Sequence, residues 1–539
     1  MSDEPASKGL YARASPVVQG VAALLRRGNR VEPVRRLGVG LNRAVLRSGA
    51  WLLGRQPGVT AVLSRHSALT EDFTPWVSDL DLDVVIADEQ DRPTTPQAVW
   101  QTFAFLKRCY PLFGELEVQS ARELAAWQRW GGVEALEARH WTALVGDVPR
   151  RTVAPTDAGL TDIHITVECF NLLFWQLYGI IFSPSFSGAA FQKVFAKLQR
   201  MLWCRPDNLE EQIRRSRRSV LAELGETEPE MAALLAQIAC RQYRRMEEDV
   251  VEALQFLLEQ LLARLPAPAA PAPSNLAVTM DHERPTRELV WELVAPATTA
   301  VRRIDGITDA VLLSGRLGDS GALGSYDYKL YLCLAENELP HWAQRLAQVR
   351  AEFDRHRHAW PFNYFGACSL PMVVSDRAFR FAVDSWDPIE GIEHGLRTGR
   401  PVSPSPRFVE RSLAYFCNSN RHHRGFGFNS PFTDRVREDF GAELTLVDYV
   451  MTLAQLRLAL EHQQLGVTPG DVVQLYRDRL PEPHERGDEL RQWWLRYGSL
   501  RPQDMRGALD MARLVAEAQP LLHCQREALF RWLAARAED

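Results

Sequence analysis

The chain has little lysine, scattered cysteine and only short apolar runs. Five of its 63 basic residues are lysine, a bias that we attribute to composition rather than to chemistry. Its eight cysteines include no C-x-x-C pair, so the sequence predicts reduced thiols instead of a zinc site or a disulfide framework. The longest apolar run, CFNLLFWQLYGIIF, has 14 residues and is too short to span a bilayer.

Charge, length and missing motifs exclude further classes of protein. The opening MSDEPASKGLYARA lacks the charged-then-apolar order of a signal peptide, so we expect a cytoplasmic location. A formal net charge of −5 argues against a general nucleic-acid binder. The Walker loop, the G-x-S-x-G elbow and the H-E-x-x-H motif are all missing. A length of 539 residues predicts several domains.

A spacer and an internal repeat divide the chain. The run LPAPAAPAPSN, Leu265 to Asn275, predicts a semi-rigid linker. On both sides of it an apolar strand, a Ser-rich turn, an aspartate-containing second strand, a helix and a third strand follow in the same order. The prediction is an α+β fold of two small mixed-sheet modules, each followed by a helical bundle. The expected segments are 1–55 (helical, basic), 56–160 (first module), 161–264 (helical), 265–285 (linker), 286–400 (second, degenerate module) and 401–539 (helical).

Aspartates at alternate positions lead into the second strand of the first module. In WVSDLDLDVVIADE, Asp79, Asp81 and Asp83 run directly into Val84. Carboxylates two residues apart on a strand point to one face and repel each other. Mg²⁺ prefers oxygen ligands and would remove this repulsion, and two such ions can promote phosphoryl transfer.

The stretch VSDLDLDVVI resembles the motif of the DNA-polymerase-β-like nucleotidyltransferase superfamily. That motif is a Gly-Ser turn, a spacer, a Ser-Asp-x-Asp-apolar strand and a third acid on a later strand. Here Ser78, Asp79 and Asp81 match the Ser-Asp-x-Asp core. The resemblance implies that Asp79 and Asp81 bind two Mg²⁺ ions, that Ser78 lies near the nucleotide, and that a nucleoside triphosphate is the substrate.

The resemblance places a third acid on the strand that follows the helix. There FGELEVQS offers Glu115 and Glu117, which alternation puts on one face. We favour Glu117 as the inner residue that completes the metal site, although little separates the two. Asp162 and Glu168 in TDIHITVECF are weaker candidates, because Thr161 has the character of a helix N-cap.

The turn before the aspartates matches the family only in part. In VLSRHS, Leu63 stands where the glycine is expected, while Ser64 and Arg65 match and are implied to contact the triphosphate. A basic residue of the helical domain often meets the triphosphate in the family. Lys193 and Lys197 in FQKVFAKLQR are the candidates, but we favour a solvated helix face as the interpretation of this segment.

The second repeat keeps the turn but loses the acids. Ser314, Gly315 and Arg316 match the turn, Asp327 matches the second aspartate, and Ser325 replaces the first. The run CSLPMVV supplies no third acid. Since one carboxylate cannot hold two magnesium ions, we expect this copy to be inactive.

An arginine-rich segment precedes the first module. Residues 26–55 contain eight arginines among Leu, Val and Trp. We expect a helix that packs against the first module with an arginine-rich outer face. The other interpretation is a peripheral membrane contact through residues 26–55.

The leading hypothesis is a Mg²⁺-dependent nucleotidyltransferase that moves a nucleoside monophosphate from a triphosphate to a small-molecule, glycan or protein acceptor. The alternative is a catalytically inactive, nucleotidyltransferase-like binding or scaffold protein, for which Leu63 is the first evidence. A third hypothesis is template-free RNA tailing or cyclic-dinucleotide synthesis. The acceptor and the preferred base are not encoded in any recognised motif.

Overall fold

The computed structural model describes two α/β modules and a set of C-terminal helices. The described residues are 31–65, 78–88, 94–130, 141–147, 276–282, 287–314, 328–356, 372–383, 388–399, 441–480, 486–497 and 511–535, with isolated positions between these ranges. No helix among them is both long and apolar enough to cross a membrane. The Pro/Ala run 265–275 and almost all of the predicted helical domain 161–264 lie outside the described residues.

The first module is a four-stranded mixed sheet with helices on both faces. Its strand order is β3-β2-β1-β4; β1 is antiparallel to both neighbours, and β2 and β3 are parallel. A crossover helix makes the parallel pairing possible. The elements in chain order are α1 (Glu32–Gly54), β1 (Val59–Ser64), β2 (Leu80–Ile86), α2 (Thr94–Cys109), β3 (Phe113–Ser120), α3 (Ala121–Trp130) and β4 (Thr142–Val145).

One face of this sheet packs against α1 and α2. Alternation along β2 sends Leu82, Val84 and Ile86 into that core, where they are fully buried. Tyr110, after the end of α2, donates its hydroxyl hydrogen to Asn42 Oδ1 of α1 at 2.7 Å, which joins the two helices. This confirms that the arginine-rich segment includes a helix packed on the first module.

The opposite face packs against α3 and the C-terminal helices. Leu63 and Val85 share a core with Trp127 of α3 and with Leu529 and Phe530 near the C-terminus. At the edge of this core, the Arg122 guanidinium donates to Glu527 at 2.9 Å, and Arg526 pairs with Glu123. The C-terminal helices therefore cover the first module, although in sequence they follow the second.

The remaining elements form a second sheet and this helical bundle. These elements are β5 (Ala277–Thr279), α4 (Arg287–Val301), β6 (Ile307–Ser314), β7 (Tyr328–Leu334), α5 (Trp342–Arg355), β8 (Met372–Ser375), α6 (Asp376–Phe381), α7 (Pro388–Thr398), α8 (Gly441–His462), β9 (Gln464–Gly466), α9 (Pro469–Arg479), α10 (Gly487–Tyr497) and α11 (Met511–Ala535). The second sheet has the strand order β6-β7-β8, and a separate parallel pair joins β5 to β9.

The second sheet repeats the pairing of the first. β6 and β7 are antiparallel and β7 and β8 parallel, as in β1, β2 and β3. Gly58 and Gly306 precede the first strands with the same φ of 83°. The Thr60 hydroxyl donates to Val85 O and the Thr308 hydroxyl to Cys333 O. The mixed α+β class with small mixed sheets is confirmed, and the repeat extends to individual hydrogen bonds.

Replacement of Leu529 by alanine tests the packing of α11 on the first module. The side chain is fully buried in the core shared with α3, so we expect a loss of about 2–5 kcal/mol in unfolding free energy. Leu495→Ala on α10 is the matched control: this leucine is 61% exposed, and we expect a change within about 0.5 kcal/mol. Urea unfolding followed by tryptophan fluorescence measures both; equal effects would contradict the packing.

Candidate functional site

The two aspartates of the motif meet where β2 begins beside β3. A Cβ atom added to Gly114 would lie 2.2 Å from Asp81 Oδ1 and 2.7 Å from Asp79 Cβ. The Glu115 N–H donates to Asp81 Oδ1 at 2.8 Å. Only a glycine leaves room for both side chains at this point of β3, so Gly114 is part of the site.

Further acids follow on the same face of the sheet. In the parallel register Asp83 of β2 lies beside Glu117 of β3. Both carboxylates are buried, with 0% and 2% exposure. Gln119 Nε2 donates to Asp83 Oδ1 at 2.8 Å. Buried carboxylates are stable only when hydrogen-bonded or paired with a cation.

Arg65 supplies that cation. It is 6% exposed, and its Nη1 lies 2.7 Å from Glu117 Oε1, while Nη2 lies 3.7 Å from Glu115 Oε2. Burial by itself lowers the pKa of Arg65, but the charges of Glu117, Asp83, Asp81 and Glu115 together raise that pKa above its usual value. The guanidinium therefore stays charged and faces the acids.

Within the described residues, five acids and two basic side chains lie together at this end of the sheet. Asp79, Asp81, Asp83, Glu115 and Glu117 cluster at one end of the sheet. The charges of four of these acids raise the pKa of Arg65, and the Lys107 ammonium donates to Gly114 O at 2.6 Å. Counted over the described residues alone, the formal charges of this cluster are five negative and two positive.

The predicted three-carboxylate magnesium site does not fit the side chains as they stand. Across the described part of the chain, no group of three or more His, Cys, Asp or Glu side chains is arranged to hold a metal ion. Asp79 and Asp81 lie together over Gly114, but Glu117 pairs with Arg65. Two of the three expected ligands are thus brought together, and the third is neutralised by an arginine.

The turn residues Leu63, Ser64 and Arg65 lie at the end of β1, and Ser78 lies just before β2. Leu63 is 1% exposed and packs in the core shared with the C-terminal helices, so a side chain needed for packing occupies the glycine position. Ser64 is buried, and its Oγ has no hydrogen-bond partner among the described residues. Arg65 faces the carboxylates of Glu115 and Glu117. Ser78 is half-buried, just before β2.

Several predicted residues belong to parts of the chain that the structure does not describe. Lys193, Lys197, Asp162 and Glu168 lie outside the described residues, as do Gly315, Arg316, Ser325 and Asp327 of the second repeat. The side chain of Ser314, at the end of β6, is likewise outside the description.

Strand pairing corrects the alignment of the second repeat. The Thr60–Val85 hydrogen bond of the first module corresponds to the Thr308–Cys333 hydrogen bond of the second. When these two bonds are aligned, the strand registers place Lys329 at the position of Asp81. The sequence motif had placed Asp327 there. In the same register Tyr331 stands at the position of Asp83, and Met372 at that of Glu117. The acids of the inner positions are therefore replaced by Lys, Tyr and Met.

Sequence reasoning missed Gly114, Gln119 and the pairing of Arg65. Gly114 had a signal, because a glycine within a strand often marks a close approach. Gln119 follows Glu117 by two positions and so shares its face. The Arg65–Glu117 contact joins residues that are distant in sequence, and no local pattern indicates it.

Arg65→Met tests the buried ion pair. Removal of one partner leaves Glu117 buried beside other acids, so we expect a loss of about 3–5 kcal/mol in unfolding free energy. The double variant Arg65→Met with Glu117→Met removes both charges and should lose less than the single variant. Chemical unfolding measures the unfolding free energy of the wild type, Arg65→Met, Glu117→Met and the double variant, which together form a double-mutant cycle. Additive losses would show that the two side chains do not interact.

Gly114→Ala tests the approach of Asp81 to β3. The new methyl group would overlap Asp81 Oδ1 and Asp79 Cβ, so the strand or the carboxylates must shift, at a cost of about 1–3 kcal/mol. Gly40→Ala in α1 is the control, since its added Cβ meets nothing within 4 Å. We expect that control to be neutral or mildly stabilising. Equal stability of the two variants would contradict the close packing.

Comparison with known proteins supplies no relative. No family model matches the chain, and neither the curated proteins nor the solved structures contain a match. The interpretation of the site therefore depends on the geometry and chemistry of Asp79, Asp81, Gly114, Arg65 and Glu117.

Proposed function

We propose that the N-terminal module is a nucleotidyltransferase that moves a nucleoside monophosphate from a triphosphate to a small-molecule, glycan or protein acceptor. The observation that carries the proposal is the convergence of Asp79 and Asp81 over Gly114, next to the acids of β3. This acidic end of the sheet is the place where the Ser-Asp-x-Asp motif meets a parallel strand with further acids.

The reaction requires positioning and charge more than covalent chemistry. An acceptor hydroxyl oxygen would bond to the α-phosphorus as the bond from that phosphorus to pyrophosphate breaks. Asp79 and Asp81 are half-buried, whereas Asp83 and Glu117 are enclosed. We therefore assign the first pair to the reacting end and to uptake of the hydroxyl proton. Arg65 acts as a positioning residue that holds Glu117.

Magnesium binding in this proposal depends on the contact that Glu117 makes. Mg²⁺, when bound, supplies positive charge to phosphate oxygens and carboxylates. Asp79, Asp81 and Glu117 are the residues that would hold Mg²⁺. Glu117 would then have to give up its contact with Arg65, whose Nη1 lies 2.7 Å from Oε1 of that carboxylate. The two-ion site stays a prediction, and Glu115 stays the alternative third acid.

The double variant Asp79→Asn with Asp81→Asn tests the proposal. We expect the wild type to bind at least one nucleoside triphosphate in the presence of Mg²⁺ and the variant to lose at least about 100-fold in affinity or in pyrophosphate release, because several kcal/mol of charge stabilisation disappear. Calorimetric titration with each of the four ribonucleoside triphosphates, and a pyrophosphate assay with candidate acceptors, measure these effects.

A matched control uses Asp354→Asn on α5. This aspartate is exposed on the second module, and the substitution removes the same kind of charge. We expect wild-type nucleotide binding for the control. A wild type that binds none of the four nucleotides, or a double variant that binds as tightly as the wild type, would overturn the proposal.

The second candidate is an inactive, nucleotidyltransferase-like binding or scaffold protein. It is favoured by the ion pair in which Arg65 neutralises Glu117, the expected third acid. It is also favoured by the buried Leu63 at the position where the motif has glycine. The same titration separates the two. Absence of nucleotide binding, or binding without pyrophosphate release for any acceptor, supports this candidate.

A further inference from the structure

Helix α1 carries two different apolar faces. Leu46, Ala50 and Leu53 are buried against the first sheet. Val34, Leu37, Leu41 and Trp51 are 38%, 74%, 47% and 52% exposed. A helix that only completes a core has polar residues on its outer side, so the second face needs another explanation.

The exposed side chains form one stripe. The positions 34, 37, 41, 44, 48 and 51 recur at alternating spacings of three and four, which places them in one row along the helix. All six are exposed, and only Ser48 among them is polar. We call this row, residues 34, 37, 41, 44, 48 and 51, the outer stripe. Contiguous exposed apolar surface of this kind marks an interaction site.

A ridge of arginines runs beside the outer stripe. Arg36, Arg43 and Arg47 are exposed, and at about 100° per residue they lie on one side of the helix, between the outer stripe and the buried face. Arg55 stacks over the ring of Trp51 at 4.2 Å. Glu32 is the single acid of α1, and Arg35 and Arg36 already pair with it. Beyond its first turn the exposed surface of the helix therefore has no acidic side chain and, apart from Ser48, is cationic and apolar.

We propose that α1 docks the protein on an anionic lipid bilayer. The outer stripe would enter the boundary between headgroups and acyl chains, and the arginines would contact lipid phosphates and carboxylates. Tryptophan is favoured at this depth because its ring is amphipathic. The helix lies along the surface, and its opposite face stays in the core of the first module.

Charge decides between a bilayer and a second copy of the chain. In a symmetric pairing through the outer stripe, Arg43 and Arg47 of one copy would approach the same residues of the other, and no acid of α1 beyond Glu32 could balance them. An anionic membrane complements the arginine ridge along its whole length. The bilayer is therefore the occupant that both the apolar and the charged side chains fit.

Vesicle co-sedimentation of the full chain tests the proposal. We expect binding to phosphatidylcholine vesicles with about 30% phosphatidylserine, weak binding to pure phosphatidylcholine, and loss of binding at about 0.5 M salt. Arg43→Gln with Arg47→Gln should weaken binding about fivefold per arginine, roughly 25-fold in all. Leu37→Ser with Leu41→Ser should weaken it at least about tenfold.

Matched controls use the same chemistry elsewhere on the surface. Arg355→Gln with Arg491→Gln removes two exposed arginines, and Leu495→Ser removes an exposed leucine of α10. We expect wild-type vesicle binding for both and unchanged unfolding for all variants. Equal binding to neutral and anionic vesicles, equal losses in controls and α1 variants, or a dimer that Leu37→Ser with Leu41→Ser dissociates without vesicle binding would overturn the proposal.

Discussion

A buried arginine between carboxylates of neighbouring strands is the interaction on which the first module depends. Arg65 follows β1, Asp83 lies on β2 and Glu117 on β3, and all three are nearly inaccessible to solvent. Two buried carboxylates in adjacent parallel positions would repel each other without a cation. The contact of Arg65 with Glu117 therefore joins the outer strand of the sheet to its antiparallel hairpin and keeps the acids on one face.

The C-terminal helices determine which part of this acidic face is reachable. Val85 follows Asp83 by two positions on the same face of β2, and it packs with Leu529 and Phe530 in an apolar core. Asp79 and Asp81, at the other end of the strand, remain half-buried. Accessibility thus falls along β2, from the Ser-Asp-x-Asp motif to the bundle. Among the described residues, the more accessible end of the acidic face is therefore the start of β2, where Gly114 leaves room for both aspartates.

Local patterns predicted the parts of the site that depend on alternation and order. The strand with Asp79 and Asp81 and the later strand with Glu115 and Glu117 were recognisable because period-two alternation fixes a side chain's face. The partner of Arg65 was not recognisable in the sequence, because pairing between distant residues depends on strand register. Register also explains the misaligned second repeat, in which a motif-based match to Asp327 lies two residues from the position that backbone pairing assigns to Asp81. The sequence left two interpretations of α1 open, a solvated arginine-rich face and a membrane contact, because leucines spaced for burial and for docking look alike.

The second module shows that the acids are not required by the fold. It builds the same antiparallel hairpin and parallel third strand with Lys329, Tyr331 and Met372 at the positions of Asp81, Asp83 and Glu117. In the first module the same architecture buries two carboxylates and then needs Arg65 to offset their desolvation. Apolar side chains at these positions would pack as well and would have no desolvation cost of this kind. The acidic cluster is therefore a departure from what stability favours, and a departure of this kind is expected at a functional site.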